Sequence, residues 1–303
     1  MRKLRFIFTL GLIVLLASSI VIPPSVHAAN MVTVGGSVVA KYKGFSTNCP
    51  LKDLYTNIYA DKFFTEITYD PLFGDPIAQK KFYFLNEDAW ENDLKNNQTY
   101  DNVDDVDFMF FTGHGYRASY GYTTYNSAHY PNTNSSTPHG YKNEGADASK
   151  FLSTEATWGT SNGSATSTKW VTMHTCNFLN NITDKTLQWG KFSYNIMGGI
   201  HMICGFATQM YVDSDEGWYY GKKLREGGKI KWTFYDGAAQ YQPQNSQDVA
   251  ARVLCAKISN DDTLTSYSVR PLPYSQAPAN SYFYQDYYID GTDSGTDWTW
   301  PKL

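Results

Sequence analysis

His114 and Cys176 are the two residues of this chain whose types and settings fit nucleophilic chemistry. His114 stands between Gly113 and Gly115, directly after the apolar run Val106 to Phe111 and one threonine, Thr112. Cys176 follows the run Trp170 to Thr175, 62 residues further on. A thiol attacks carbonyls poorly until a base takes its proton or a positive neighbour lowers its pKa, and an imidazole can do either. The chemistry would be acyl transfer: the thiolate adds to a peptide carbonyl, an acyl-enzyme forms, and the imidazolium protonates the leaving amine. The glycines beside His114 let a substrate backbone pass close to the ring. The backbone N–H groups of Gly115 and Cys176 are the candidate oxyanion donors.

Two further histidines stand nearby in pattern. His174 shares strand parity with Cys176 and is expected on the same face of its sheet. His201 opens the next apolar run. Both read as core histidines bonded to the backbone, or as residues supporting the dyad from behind. Zinc would accept His114, His174 and Cys176 as ligands, but no short-range ligand spacing favours it. The acidic stretches Asp101, Asp104, Asp105, Asp107 and Asp290, Asp293, Asp297 lack the loop spacing of a known calcium motif, so they read as solvated acids. No metal or other cofactor is expected.

These side chains meet only if a scaffold brings their segments together. Residues 106–111, 169–175 and 200–206 are near-continuous apolar runs, as strands covered on both faces require. Val32 to Tyr42, Lys81 to Leu85 and Ala251 to Ile258 read as further strands. Helices are expected at Asp53 to Thr68, where Leu54, Ile58, Phe63, Phe64 and Ile67 recur at roughly helical spacing, and near 215–226 and 231–241. Another is expected from Asn86, as a cap, through Leu94. Strands alternating with helices predict an α/β fold: a mostly parallel central sheet with helices on both faces. In such sheets ligands bind beyond the carboxyl ends of the strands, which is where His114 and Cys176 would lie. Residues 116–168 are polar and read as a long elaborated loop: a lid, a partner surface or a plug. The Tyr-rich tail, 282–303, is expected to be an edge hairpin or an appendage.

Arg2, Lys3 and Arg5 precede an apolar stretch, Phe6 to Ile22, and Val26-His27-Ala28 precedes Ala29, the pattern of a cleaved secretory leader. The chain is thus expected to divide into a signal peptide, 1–28, an α/β domain, 29–260, and a Tyr- and Asp-rich extension, 261–303. The 303 residues are 42% hydrophobic, 16% aromatic and 18% charged, ample for a core and too aromatic for disorder. The formal net charge is −4, and about −7 without the leader's three basic residues, which argues against nucleic acid as a partner. No later segment is apolar enough to span a membrane, so a secreted protein acting on peptides or proteins is the expectation. Cys49, Cys176, Cys204 and Cys255 allow three full disulfide pairings, and spacing does not choose among them. Trp90, Trp158 and Trp170 read as core aromatics rather than groove lining.

The pairing of apolar strand with His-Gly and apolar strand with small residue and Cys resembles the caspase-like cysteine peptidases, a group that includes caspases, metacaspases, legumain, clostripain and gingipain. Residues from about 54 to 258 also resemble a prokaryotic secreted domain family of this kind. Carrying that likeness are Ala89-Trp90-Glu91-Asn92-Asp93-Leu94, Asp107-Phe108 with Thr112-Gly113-His114-Gly115, Trp158-Gly159, Lys169-Trp170, Cys176 with Leu179, and Gly199-Ile200-His201 with Gly205-Phe206. The resemblance implies a catalytic His114, a nucleophilic Cys176 and an oxyanion hole at Gly115. Cys176 lies in His-Thr-Cys-Asn-Phe, not the Gln-Ala-Cys-Arg-Gly setting of caspases, so it implies no preference for Asp. A non-catalytic binding module or a degenerate peptidase on the same fold is the alternative. A binding module has no need of the His114 and Cys176 pair.

Overall fold

The computed structural model describes residues 31–41, 54–69, 77–89, 93–94, 103–120, 123–129, 150–152, 157–160, 168–179, 196–243, 249–269, 271–273, 276 and 281–289. The expected signal peptide, Cys49, Trp90, Asp101 and the acids beyond Ile289 lie outside them. All strands and helices belong to one compact unit, Val32–Leu303.

A seven-stranded sheet forms its centre, in the order β10-β9-β8-β7-β3-β1-β2. The strands are β1 (Val32–Val38), β2 (Ala78–Leu85), β3 (Phe108–Thr112), β7 (Trp170–His174), β8 (Met202–Phe206), β9 (Val249–Ala256) and β10 (Tyr282–Ile289). The pairings from β2 through β8 are parallel, and β9 and β10 add antiparallel. The three runs expected as central strands are β3, β7 and β8. Every residue of each is buried, as a sheet covered on both faces demands.

The helices are α1 (Thr56–Ile67), α2 (Ser214–Arg225) and α3 (Ile230–Tyr241). These three pack on one face of the sheet. Tyr59, Phe63 and Phe64 of α1, Tyr220 and Leu224 of α2, and Phe234 and Tyr235 of α3 share one core with Phe108, Phe110 and Trp170. Phe63 stacks on Phe110 at 4.5 Å, and truncating either ring would cost about 3–5 kcal/mol. The inward stripe of α1 runs through Tyr59 rather than Ile58, which is 44% exposed. Gly217 and Gly221 let α2 approach α1, since a side chain at either would strike the carbonyl of Tyr59 or Phe63. Asp213 caps α2 by accepting from the Asp215 N–H at 2.8 Å, and acids begin the helix while bases end it. The opposite core joins Met109, Phe111, Val171, Met173 and Ile203 to Trp158, Phe178, Ile196 and Ile200. Trp158 and Trp170 are thus core residues, as expected.

Three local expectations are corrected. No helix starts at Asn86: Asn86–Asp88 is one 3-10 turn and Ala89 is extended. Asn86 takes φ +54°, and its Oδ1 accepts from the N–H groups of Ala40 (2.9 Å) and Lys41 (2.8 Å), so it caps the end of β1 instead. The polar stretch after His114 is no loop at its start: β4 (Gly115–Tyr120), β5 (Thr123–His129) and β6 (Lys150–Leu152) form an antiparallel sheet. The Tyr-rich segment forms the seventh strand of the main sheet, with Tyr282 opposite Ala256 and Ile289 opposite Val249. The boundary expected at 260 therefore cuts through the sheet.

Candidate active site at the carboxyl edge of the sheet

β3 and β7 are adjacent and parallel, with Phe108 opposite Trp170 and Thr112 opposite His174. His114 and Cys176 each lie two residues beyond that last pair, at the carboxyl edge of the two strands. Gly115 touches the Cys176 turn closely enough that a side chain at 115 would collide with the Cys176 carbonyl and with Thr175 Oγ1. Glycine is what this contact requires. Gly115 and the turn that carries Cys176 are therefore neighbours.

Cys176 is half-buried and, with Cys204 and Cys255, a free thiol. Its Sγ accepts from the Met210 N–H at 3.4 Å and donates to the Met210 carbonyl at 3.5 Å. Burial pushes the thiol above its ordinary pKa, and the Met210 backbone opposes that only in part. The turn continues through Asn177 at φ +58°, a left-handed conformation that asparagine tolerates better than most residues. It is tied down by Asn177 N–H to the Thr208 carbonyl (2.8 Å) and Leu179 N–H to the Phe206 carbonyl (3.0 Å). Arg252 donates to the Leu179 carbonyl at 2.8 Å while paired with Asp286, directly opposite on β10. The Tyr-rich strand thereby braces the segment that carries the cysteine.

His174 points into the helical face, fully buried and stacked on Tyr59 at 3.8 Å. Its Nε2 lies 3.3 Å from Glu216 Oε2, within ion-pair range but off a hydrogen-bond line. Both ring nitrogens, Tyr59 Oη, Thr112 Oγ1 and Thr175 Oγ1 are buried polar atoms with no hydrogen-bond partner. Glu216 also accepts from Gln242 Nε2 at 2.6 Å. His201 stands at the other end of the sheet: it precedes Met202, which pairs with Trp170, and its N–H donates to the Lys169 carbonyl. Five residues of strand, roughly 16 Å, separate that edge from His174. His201 therefore stands at the opposite edge of the sheet from His174.

Asp104 is buried, accepting from the Gly159 N–H at 2.9 Å, and Asp107 accepts from the Thr33 N–H at 2.8 Å and pairs with Lys169. These two acids are structural acceptors, not solvated loop charges. Among the described residues no group of three or more His, Cys, Asp or Glu is placed to hold a metal ion. No helix among them is long and apolar enough to cross a membrane.

Residues 55–287, spanning α1, α2, α3 and most of the sheet, match the model of a family described as Domain of unknown function (DUF6345). The chain belongs to that family. DUF6345 here includes both edges of the sheet, with His114 and Cys176 inside the matched region. No curated protein compared with the chain matches it.

Sequence reasoning missed Glu216, Gln242, Met210 and the Arg252–Asp286 pair. The one legible trace was Glu216 in the acidic first turn of a helix, and that pattern ordinarily marks an exposed residue.

Proposed function

We propose that this DUF6345 protein is a secreted cysteine peptidase of caspase-like type, in which His114 activates Cys176 to hydrolyse peptide bonds through an acyl-enzyme. The observation that carries the reading is the pairing of Thr112 with His174 on adjacent parallel strands, since His114 and Cys176 each follow that pair by two residues at the carboxyl edge. The mostly parallel sheet and the close contact of Gly115 with the Cys176 turn support it. Both residues leave buried strands, so little ordering remains to be done when a substrate binds. The N–H groups of Gly115 and Cys176 would hold the oxyanion. The substrate is a peptide or protein. Nucleic acid is disfavoured by net charge, and removal of the leader between Ala28 and Ala29 would leave no membrane segment.

A degenerate peptidase is the second reading, favoured by a thiol that burial holds above its ordinary pKa. One experiment separates them: iodoacetamide labelling of Cys176 in the reduced protein, compared with His114→Ala. The dyad predicts labelling that slows when the imidazole is removed. Labelling that is equally fast without His114 sinks the peptidase reading.

A further inference from the structure

The segment from Ala207 to Asp213 joins β8 to α2 and crosses the carboxyl edge beside Cys176. Its backbone meets the thiol at Met210, N–H to Sγ at 3.4 Å and Sγ to carbonyl at 3.5 Å. The next residue, Tyr211, is held on both sides of its backbone by one buried side chain. Gln242 Oε1 accepts from the Tyr211 N–H at 2.8 Å, and Gln242 Nε2 donates to the Tyr211 carbonyl at 2.8 Å. The Tyr211 ring is 42% exposed, so these bonds rather than packing fix the residue. Gln242 directly follows α3, is 2% exposed, and has its amide oriented by the bond from Nε2 to Glu216 Oε2 at 2.6 Å. Glu216, 1% exposed, accepts that bond and faces His174 two residues before Cys176. The contacts close a ring: Cys176, Met210, Tyr211, Gln242, Glu216, His174.

We propose that Gln242 and Glu216 are positioning residues for Cys176, holding Met210 against the thiol so that the 207–213 segment is a latch that must yield before the sulfur can attack a peptide. The inference rests on the reading of Cys176 as a nucleophile and supplies its regulation. An amide is suited to the task, since it donates to one backbone group and accepts from another at once. A carboxylate at 242 would lose the donor and face Glu216 with like charge. Among the described residues the titratable groups on the elements around the thiol include His114 beyond β3, His174 on β7, Tyr59 of α1, and Tyr211, Asp213 and Glu216 on the latch and α2.

The test is the pH profile of Cys176 alkylation by iodoacetamide in the full chain, with modified peptides mapped by mass. Gln242→Ala frees the latch and exposes the sulfur. Because burial is the main cause of the raised thiol pKa, the midpoint should fall and labelling at neutral pH should rise about tenfold, the change that one pKa unit makes. Glu216→Ala should act the same way, and Glu216→Gln, which still accepts from Gln242, should stay close to the parent profile. A merely structural role would lower the melting temperature of these variants and leave the profile unmoved. An unmoved profile in folded Gln242→Ala protein overturns the latch. Amide exchange of Tyr211 in the unmodified chain gives a check that needs no variant: strong protection is expected, and exchange at the rate of an open loop overturns it. The two readings fail separately. Slow labelling of His114→Ala beside unchanged Gln242→Ala leaves the dyad and removes the latch, whereas fast labelling of Gln242→Ala with no dependence on His114 keeps the latch and removes the dyad.

Discussion

The sheet carries a buried histidine at each end, and the two sit in opposite hydrogen-bond environments. At the amino edge His201 Nδ1 is 2.6 Å from Asp262 Oδ2, which also accepts from Trp170 Nε1 at 3.1 Å, while Asp262 Oδ1 accepts from the Ser268 N–H at 2.9 Å. At the carboxyl edge His174 has a carboxylate 3.3 Å away and no hydrogen bond on either nitrogen, amid three hydroxyls that also lack partners. Buried polar groups are normally satisfied, because each unpaired one costs about 1–3 kcal/mol. The amino edge follows that rule and is built for stability. The carboxyl edge departs from it beside Cys176.

The largest effect should fall on the carboxyl edge. Cys176→Ala is expected to reduce peptide hydrolysis by at least about 10³-fold, while Cys204→Ala, in mid-sheet, leaves it largely intact. Hydrolysis that survives Cys176→Ala would remove the functional half of the contrast. Next comes the amino edge. Asp262→Ala strands the Trp170 and Ser268 donors and the His201 ring, and should cost about 3 kcal/mol in denaturant unfolding. A loss below about 1 kcal/mol would mean the closed network contributes little.

The third effect sets mid-sheet cysteines against the edge. Burial pushes Cys204 up to about 12 and raises Cys255 in the same direction, from an ordinary 9.0. In the unfolded chain both thiols ionise near their ordinary value, so above it the unfolded state holds fewer protons. Stability should hold below about pH 9 and then fall, by about 1.4 kcal/mol per pH unit for each thiol, until the folded thiols ionise. Urea unfolding across the alkaline range should show this decline, and Cys204→Ala should make it shallower. A decline unchanged in that variant would contradict the assignment. The smallest effect is predicted for His174→Leu, which removes two unpaired ring nitrogens along with the stacking on Tyr59. Its stability should stay within about 1 kcal/mol of the parent, against a clearly larger loss for His201→Leu. Equal losses at the two histidines would erase the difference between the edges.

Much of the frame was legible because it rests on local pattern. The β3, β7 and β8 runs read as buried strands since nothing but apolar residues and threonine could fill a position covered from both sides, apart from His174 at the end of β7. Helix α1 was legible from apolar residues at roughly helical spacing. Asn86 was misread because the cap it makes belongs to Ala40 and Lys41, more than forty residues earlier. The β4–β5 hairpin was missed because its strands are polar, carrying Tyr, Thr and Ser at positions where the apolar alternation of a half-buried strand was sought.

By itself the sequence determined that residues 106–111, 169–175 and 200–206 are buried strands and that a histidine and a cysteine follow two of them, because these are properties of short windows. Only the tertiary structure decided that β3 and β7 are neighbours in a register pairing Thr112 with His174. It also decided that the Tyr-rich strand closes the sheet, that His201 faces the opposite edge from Cys176, and that Gln242, bonded to Glu216, reaches Tyr211 beside the thiol. Those contacts join residues far apart in the chain through single side chains, and such meetings leave no periodic trace in the sequence.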